Sequence, residues 1–399
     1  MTGREDPYPR YSRLREISPI VRAADGALVV TGYADCQTVV RDGRFAHMPA
    51  DMLAFVGFPD WREHPALLQL WTSMLTLNPP DHTRLRRLVG SAFTARRVAA
   101  LQPAIERMVG DLLDDLAARS DGGVADFVGG FAFPLPVAVI GELLGVPAAD
   151  RPQFQTLVRD WTQVLEMITP DVLLTADPAA AAIRDYLGGL LDERRKEPAD
   201  DLLTALTQAQ TADDRLTDEE VLSNAALLFA AGFETTTNLL ANGLVALLEQ
   251  PGRLARAAEA PEAAVEELLR YDSPVQIASR IAADDVELAG LPIEAGERVV
   301  AYLGAGNRDP QRFDAPDELR LDRENNAPLS FGGGIHYCLG APLARLEARI
   351  ALPALAARFP EIALAGPPER RNSLTLRGFT GMRVQLGSAA ASSGVSSLT

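Results

Sequence analysis

From Thr217 to Gln250 the chain carries one long helical pattern, and a rod of that size sets the scale of whatever folds around it. Thr217-Asp218-Glu219-Glu220 has the form of a capping box, apolar residues follow, and Pro251 stops the run. At about 1.5 Å per residue such a helix extends roughly 50 Å, enough to cross a whole domain. Most other segments also read as helices, with no repeat of fixed period. Strand-like pieces are short and clustered: Ala27-Leu28-Val29-Val30-Thr31, Asp285-Val286-Glu287-Leu288 and Arg298-Val299-Val300-Ala301-Tyr302, each near Gly or Pro. The predicted fold class is mainly α with a small β region beside a helical body.

The middle of the long helix is chemically unusual. Ala230-Ala231-Gly232-Phe233-Glu234-Thr235-Thr236-Thr237 interrupts good helix formers with a glycine and three threonines. A hydroxyl bond from Thr235 to the carbonyl of Ala231 predicts a bent ladder with room for a small ligand. Close packing against a neighbouring helix is the plain alternative for such a stretch. Glu234 favours chemistry, because an acid in a largely apolar helix is costly to bury alone and an acid beside an alcohol suits a proton relay.

Cys338 is one of two cysteines in 399 residues and lies within Phe331-Gly332-Gly333-Gly334-Ile335-His336-Tyr337-Cys338-Leu339-Gly340. Three glycines ahead and one after allow backbone to approach a flat group and leave amide N–H groups for a thiolate. The following segment, Ala341 to Ile350, reads as a helix with a proline near its first turn. The sulfur then lies near the positive end of a helix dipole, a position that favours the thiolate. Without that setting, a lone cysteine reads as a small buried hydrophobe.

Two further segments carry paired polar residues. Glu267-Leu268-Leu269-Arg270 belongs to a helix that opens at Pro261 and ends at Asp272-Ser273-Pro274, with both charges on one face; surface pairs of this kind are common. In Asn78-Pro79-Pro80-Asp81-His82-Thr83-Arg84-Leu85-Arg86-Arg87, Asp81 or Thr83 is placed to cap a new helix. His82 and Arg86 then share a face at i,i+4, which suits an anionic group or, more plainly, a solvated basic helix start. A zinc site fails on ligand count, since His47, His64, His82 and Cys36 offer no second cluster beside His336 and Cys338. A dinucleotide fingerprint fails because Tyr337 stands where a third glycine is needed after Gly332 and Gly334.

In order, Phe331, Gly334, His336, Cys338 and Gly340 fill a Phe-x-x-Gly-x-His-x-Cys-x-Gly pattern that resembles the haem-ligand signature of the cytochrome P-450 superfamily. Ala231, Gly232, Glu234 and Thr235 resemble its Ala-Gly-x-Glu/Asp-Thr motif, Glu267 and Arg270 its Glu-x-x-Arg pair, and Pro80, His82 and Arg86 its Pro-x-His-x-x-x-Arg stretch. The resemblance covers nearly the whole chain and points to soluble bacterial members that oxidise secondary metabolites. It implies a single domain over residues 1–387 with haem between the central helix and the cysteine-bearing helix. By the same resemblance, haem b is bound with Cys338 as the iron ligand, with Phe331, Gly332, Gly340 and Ala231 close to it and His82, Arg86, Arg280 and His336 on its propionates. Thr235 and Glu234 are implied to be catalytic, delivering protons for O2 activation, and Glu267 with Arg270 to be structural. The family often adds a later arginine to that pair; Glu318 occupies the matching place, which leaves Arg320 and Arg323 as alternatives. Leu227, Ala230, Val275, Ile277 and Phe379 take substrate-facing positions or are ordinary core.

The activity implied is a monooxygenase that hydroxylates or epoxidises a bulky apolar small molecule of polyketide or macrolide type, with terpenoids, fatty acids and carrier-bound peptides left open. Its rivals are a haem-thiolate oxidase that couples phenols or rearranges substrate without oxygen insertion, and a non-catalytic haem-binding protein. The chain has no flavin or NAD(P)H domain to spare, so electrons are expected from an external ferredoxin and its NAD(P)H reductase. Arg84, Arg86, Arg87, Arg96, Arg97, Arg345 and Arg349 read as a positive face for an acidic ferredoxin.

Overall charge narrows the partners. With 54 acidic against 38 basic residues, a net charge of -16 argues against nucleic acid or an anionic membrane. The residues from Met1 to Pro7 carry no apolar signal-like run, and no stretch of about eighteen apolar residues occurs. Two cysteines do not make a disulfide framework, which fits a reducing compartment; a cytoplasmic protein is expected, and as a separate expectation a monomer. Between His47 and Leu77, Met48, Met52, Phe55, Phe58, Trp61, Trp71 and Met74 suggest an adaptable apolar lid, and residues 388–399 read as a disordered tail.

Overall fold

The computed structural model describes residues 6–211 and 214–387, so the tail expected over 388–399 lies outside the described residues. The long helix runs over Asp218–Leu248. Its capping box forms in both directions: the Glu220 amide donates to Thr217 Oγ1 at 3.3 Å, and the Thr217 amide to Glu220 Oε2 at 2.8 Å. The helix remains continuous through the Gly-Thr stretch. There the hydroxyls of Thr235 and Thr236 donate to the carbonyls of Ala231 and Gly232 at 3.0 and 3.1 Å, adding bonds to the ladder rather than interrupting it. The expected Thr235–Ala231 bond is present in an unbroken helix, and Gly232 serves packing: a Cβ there would stand 3.3 Å from the side chain of Ile140, on the neighbouring helix Pro134–Leu144.

Helices Pro65–Trp71, Pro170–Lys196, Pro261–Tyr271 and Ala341–Arg358 also contact the central helix. One apolar cluster runs through this helical body from Leu53 to Leu386. The sheet lies to one side. Its strands follow the order Ile20–Arg22, Leu28–Val30, Arg298–Tyr302, Ile277–Ala282, Phe45–Ala46, and a second, smaller apolar cluster packs on it. Only Leu28–Val30 and Arg298–Tyr302 pair in parallel within it; at the edge, Phe45 pairs with Ala282 and Ala46 with Ile281 in antiparallel register.

The helix of the His-Arg segment covers Asp81–Ala92 and follows a cis Pro79–Pro80 peptide. Neither Asp81 nor Thr83 caps it. Pro80 occupies the cap position, and both residues already lie in the first turn, where a carboxylate acts on the dipole instead. The segment expected to be a lid is largely packed: Leu53, Phe58, Trp61, Leu67, Leu70, Trp71 and Met74 are buried, whereas Phe55 is 87% exposed. Among the described residues no helix is long and apolar enough to cross a membrane.

Candidate active site

The cysteine loop is fixed by its glycines and by a short closing bond. Gly334 has φ +62°, and a Cβ there would stand 2.9 Å from the Val40 carbonyl oxygen, so only glycine fits against that neighbouring backbone. The Cys338 amide donates to the Phe331 carbonyl at 3.0 Å, and helix Ala341–Arg358 begins three residues on. Burial pushes the Cys338 thiol up, opposed by the Gly340 amide, Arg86, the Ala341 amide and Arg345. Yet the residue counts as exposed. Both facts describe a sulfur at the floor of a cleft, poorly hydrated but reachable from one side. This corrects the expectation of a ready thiolate: desolvation outweighs the amides and guanidinium groups that favour the charged form. Phe331 lies beneath the Arg345 guanidinium at 4.4 Å, and Arg345 pairs with Glu266.

Above the loop stands a cluster of nitrogen donors. His82 and His336 lie with ring centroids 3.9 Å apart, Arg86 donates to the Tyr337 carbonyl at 2.7 Å, and buried Arg280 donates to the carbonyl of its own neighbour, Ser279, at 2.8 Å. Burial is the first cause that lowers each of these groups. Arg280 falls to about 10 by burial alone; His336 falls to about 3, with His82, Arg280 and Arg86 adding to burial. His82 and Arg86 are lowered too, and no carboxylate acts on any of the four. The Nδ1 of His82 is buried without a partner. Such a donor set, short of acceptors, fits a ligand that brings its own carboxylates, as haem does.

On the central helix, Thr235 is half-buried and Ala231 exposed although most of their neighbours are buried, so that face opens on a cavity or solvent. Glu234 does not bond Thr235. Its carboxylate pairs with Arg371 and accepts the Thr162 hydroxyl at 3.1 Å, because adjacent helical residues point about 100° apart. Thr162 ends helix Phe154–Thr162, and the loop after it supplies Glu166, which accepts the amides of Leu374, Thr375 and Leu376 at 3.2, 3.2 and 3.1 Å. Neither Thr162 nor Arg371 carries a local sequence signal. Glu347 was also missed. It is buried in the cysteine helix with Oε2 unpaired, and burial holds its carboxyl well above the ordinary range.

The Glu-x-x-Arg pair is completed by Arg323. Glu267 accepts Arg270 at 2.7 and 2.8 Å, Arg323 Nε at 3.0 Å and Asn326 at 3.0 Å, while Arg320 contributes only its backbone amide, at 2.8 Å. The Arg320 side chain turns to Asp314 and Glu318. Of the expected substrate-facing residues, Leu227, Ala230 and Phe379 are buried in the main core and Val275 and Ile277 are half-buried; Arg370 lies 3.9 Å over the Phe379 ring. The expected positive face is largely neutralised: Arg84 pairs with Asp214 and Glu220, Arg87 with Asp214, Arg97 with Asp200, Arg345 with Glu266 and Arg349 with Glu262. Among the described residues Arg86 and Arg96 have no acidic partner.

The chain is similar to known proteins over most of its length. The family model described as cytochrome P-450 matches residues 55–260 and 261–371. The chain is 42% identical to the cytochrome P-450 monooxygenase PikC of Streptomyces venezuelae, over 91% of this chain and 86% of that protein. It is 39% identical to the 6-deoxyerythronolide B hydroxylase of Saccharopolyspora erythraea, over 96% of each. Among solved structures, the bacillaene polyketide synthase cytochrome P-450 PksS of Bacillus subtilis superposes with a TM-score of 0.85 at 36% identity, covering 97% of this chain and 98% of that one.

Proposed function

The chain belongs to the cytochrome P-450 family, and from that premise we propose that it binds haem b through Cys338 and hydroxylates or epoxidises a bulky apolar molecule of polyketide or macrolide type. Family membership makes it a monooxygenase that uses haem, O2 and electrons from an external donor. The reading rests most on one observation: His82, Arg86, Arg280 and His336 gather beside the cysteine loop, with the His82 and His336 rings 3.9 Å apart and the Nδ1 of His82 buried without a partner.

When bound, haem supplies the activation of O2, one atom of which enters the substrate while the other leaves as water. Cys338 would hold the group and donate electron density to it, and Gly340 and Ala341 would steady the sulfur's charge through their amides. His82, Arg86, Arg280 and His336 would hold the propionates, and Phe331, Gly332, Gly340 and Ala231 would allow the flat ring to approach closely. Thr235 would accept a hydrogen bond from a water at the open face of the central helix and hold that water in the proton path. Glu234 refills that water from the side of Thr162 and Arg371. Leu227, Ala230, Val275, Ile277 and Phe379 give an apolar wall, and the activities of the relatives, a 6-deoxyerythronolide B hydroxylase among them, support a polyketide-sized substrate. Coupling without oxygen insertion and plain haem carriage are not favoured, because the relatives are hydroxylases and monooxygenases.

The electron donor on this reading is a ferredoxin with its NAD(P)H reductase, and the protein works as a cytoplasmic monomer. A single domain over residues 1–387 is supported by the continuous apolar cluster from Leu53 to Leu386. The test is spectral. Reduced wild-type protein under carbon monoxide should give the red-shifted band of thiolate ligation, and Cys338→Ser should lose it while keeping its fold. Protein that stays colourless after ample haem supply would end the proposal.

A further inference from the structure

His47 belongs to no motif, yet the fold carries it into the donor cluster. Phe45 and Ala46 pair with Ala282 and Ile281, so continuing the same antiparallel register by one residue sets His47 opposite Arg280. Asn78 fixes it there from both sides: the His47 amide donates to Asn78 Oδ1 at 2.9 Å, and Asn78 Nδ2 donates to the His47 carbonyl at 2.8 Å. The His47 ring lies edge-on to His336, centroids 4.3 Å apart, and His336 in turn lies on His82. Three imidazoles from three separate parts of the chain thus form a row beside Arg280. The Nε2 of His47 is buried and has no hydrogen-bond partner.

Burial, then Arg280, His336 and His82, lower the basicity of His47, and no acid acts on it. A buried imidazole N–H left unpaired is costly, and a carboxylate acceptor would recover that cost. The neighbouring residues are those assigned above to the propionates.

We propose that His47 is a further haem-binding residue, donating from Nε2 to the propionate carboxylate held by Arg280 and His336. This rests on the haem reading of the same site. It gives the short edge strand a purpose, since pairing Phe45–Ala46 onto Ile277–Ala282 delivers the histidine to the arginine.

Haem transfer from the holoenzyme to excess apomyoglobin tests it. His47→Leu, similar in bulk but without a donor, should lose haem about tenfold faster than wild type, and His47→Gln should recover most of the difference. The reduced carbonyl spectrum should be unchanged in both, because Cys338 is untouched. When the proteins are reconstituted with the dimethyl ester of haem, wild type and His47→Leu should release it equally fast. Equal release of ordinary haem by wild type and His47→Leu overturns the inference and leaves the haem reading standing. Faster release that persists with the dimethyl ester also overturns it, assigning His47 to packing alone. A wild type that takes up no haem removes the haem reading itself.

Discussion

Glu347 shows how one side chain carries a pH dependence. A carboxyl whose folded pKa is raised keeps its proton after the unfolded chain has lost its own, so stability is full below the ordinary glutamate value and falls as pH rises above it. Glu347→Gln removes that fall while keeping shape and hydrogen-bonding capacity. The variant should match wild type near pH 4 and exceed it in urea denaturation near pH 8; an equal difference at both pH values would sink the argument. Thr235 makes a different prediction. Its hydroxyl is committed to Ala231 as donor, which leaves its lone pairs free to accept from a water on the open face of the helix. Thr235→Ala should bind haem normally while more of the reducing equivalents end as hydrogen peroxide, measured as product formed per NAD(P)H consumed. Unchanged coupling would remove Thr235 from the proton path. Both residues stand in a helix readable from the sequence, but only Thr235 announced itself; nothing in the local pattern separates Glu347 from a solvated acid, because its burial depends on helices packed around it.

At the level of elements, the network around Glu267 separates two arginines that sequence alone could not. Arg323 reaches Glu267 with its guanidinium and is 6% exposed, so removing it leaves a buried carboxylate short of a partner. Arg323→Ala should cost about 3–5 kcal/mol of stability. Arg320→Ala keeps the backbone amide that Glu267 accepts and loses only exposed contacts to Asp314 and Glu318, so its cost should stay within about 0.5 kcal/mol. Chemical denaturation of the two holoproteins measures both, and a reversed order would refute the assignment. The same contrast explains what was legible. The capping box at Thr217, the stop at Pro251 and the glycines before Cys338 act over a few residues and leave their mark in local order. Arg323 with Glu267, Arg371 with Glu234 and Ala46 opposite Ile281 are contacts between segments far apart in sequence, which no spacing rule records.

For the molecule as a whole, charge acts at two ranges with opposite sign. On the ferredoxin reading, a net charge of -16 repels an acidic donor at a distance, while Arg96, which has no acidic partner among the described residues, attracts it at contact. Salt separates the two, since the screening length falls from roughly 30 Å at 0.01 M to about 8 Å at 0.15 M. Adding salt from a low level first removes the long-range repulsion, so ferredoxin-supported turnover should rise. Further salt weakens the local pairing, and turnover should fall. The pairing of Arg84, Arg87, Arg97, Arg345 and Arg349 with acids of this chain makes the falling limb shallow, because those guanidinium groups are already partly neutralised. Arg96→Glu should lower the maximum without changing haem content, as Arg96 lies exposed on the helix Ala95–Ala100. A rate that climbs steadily with salt would leave this face no attractive role, and the donor would have to dock elsewhere.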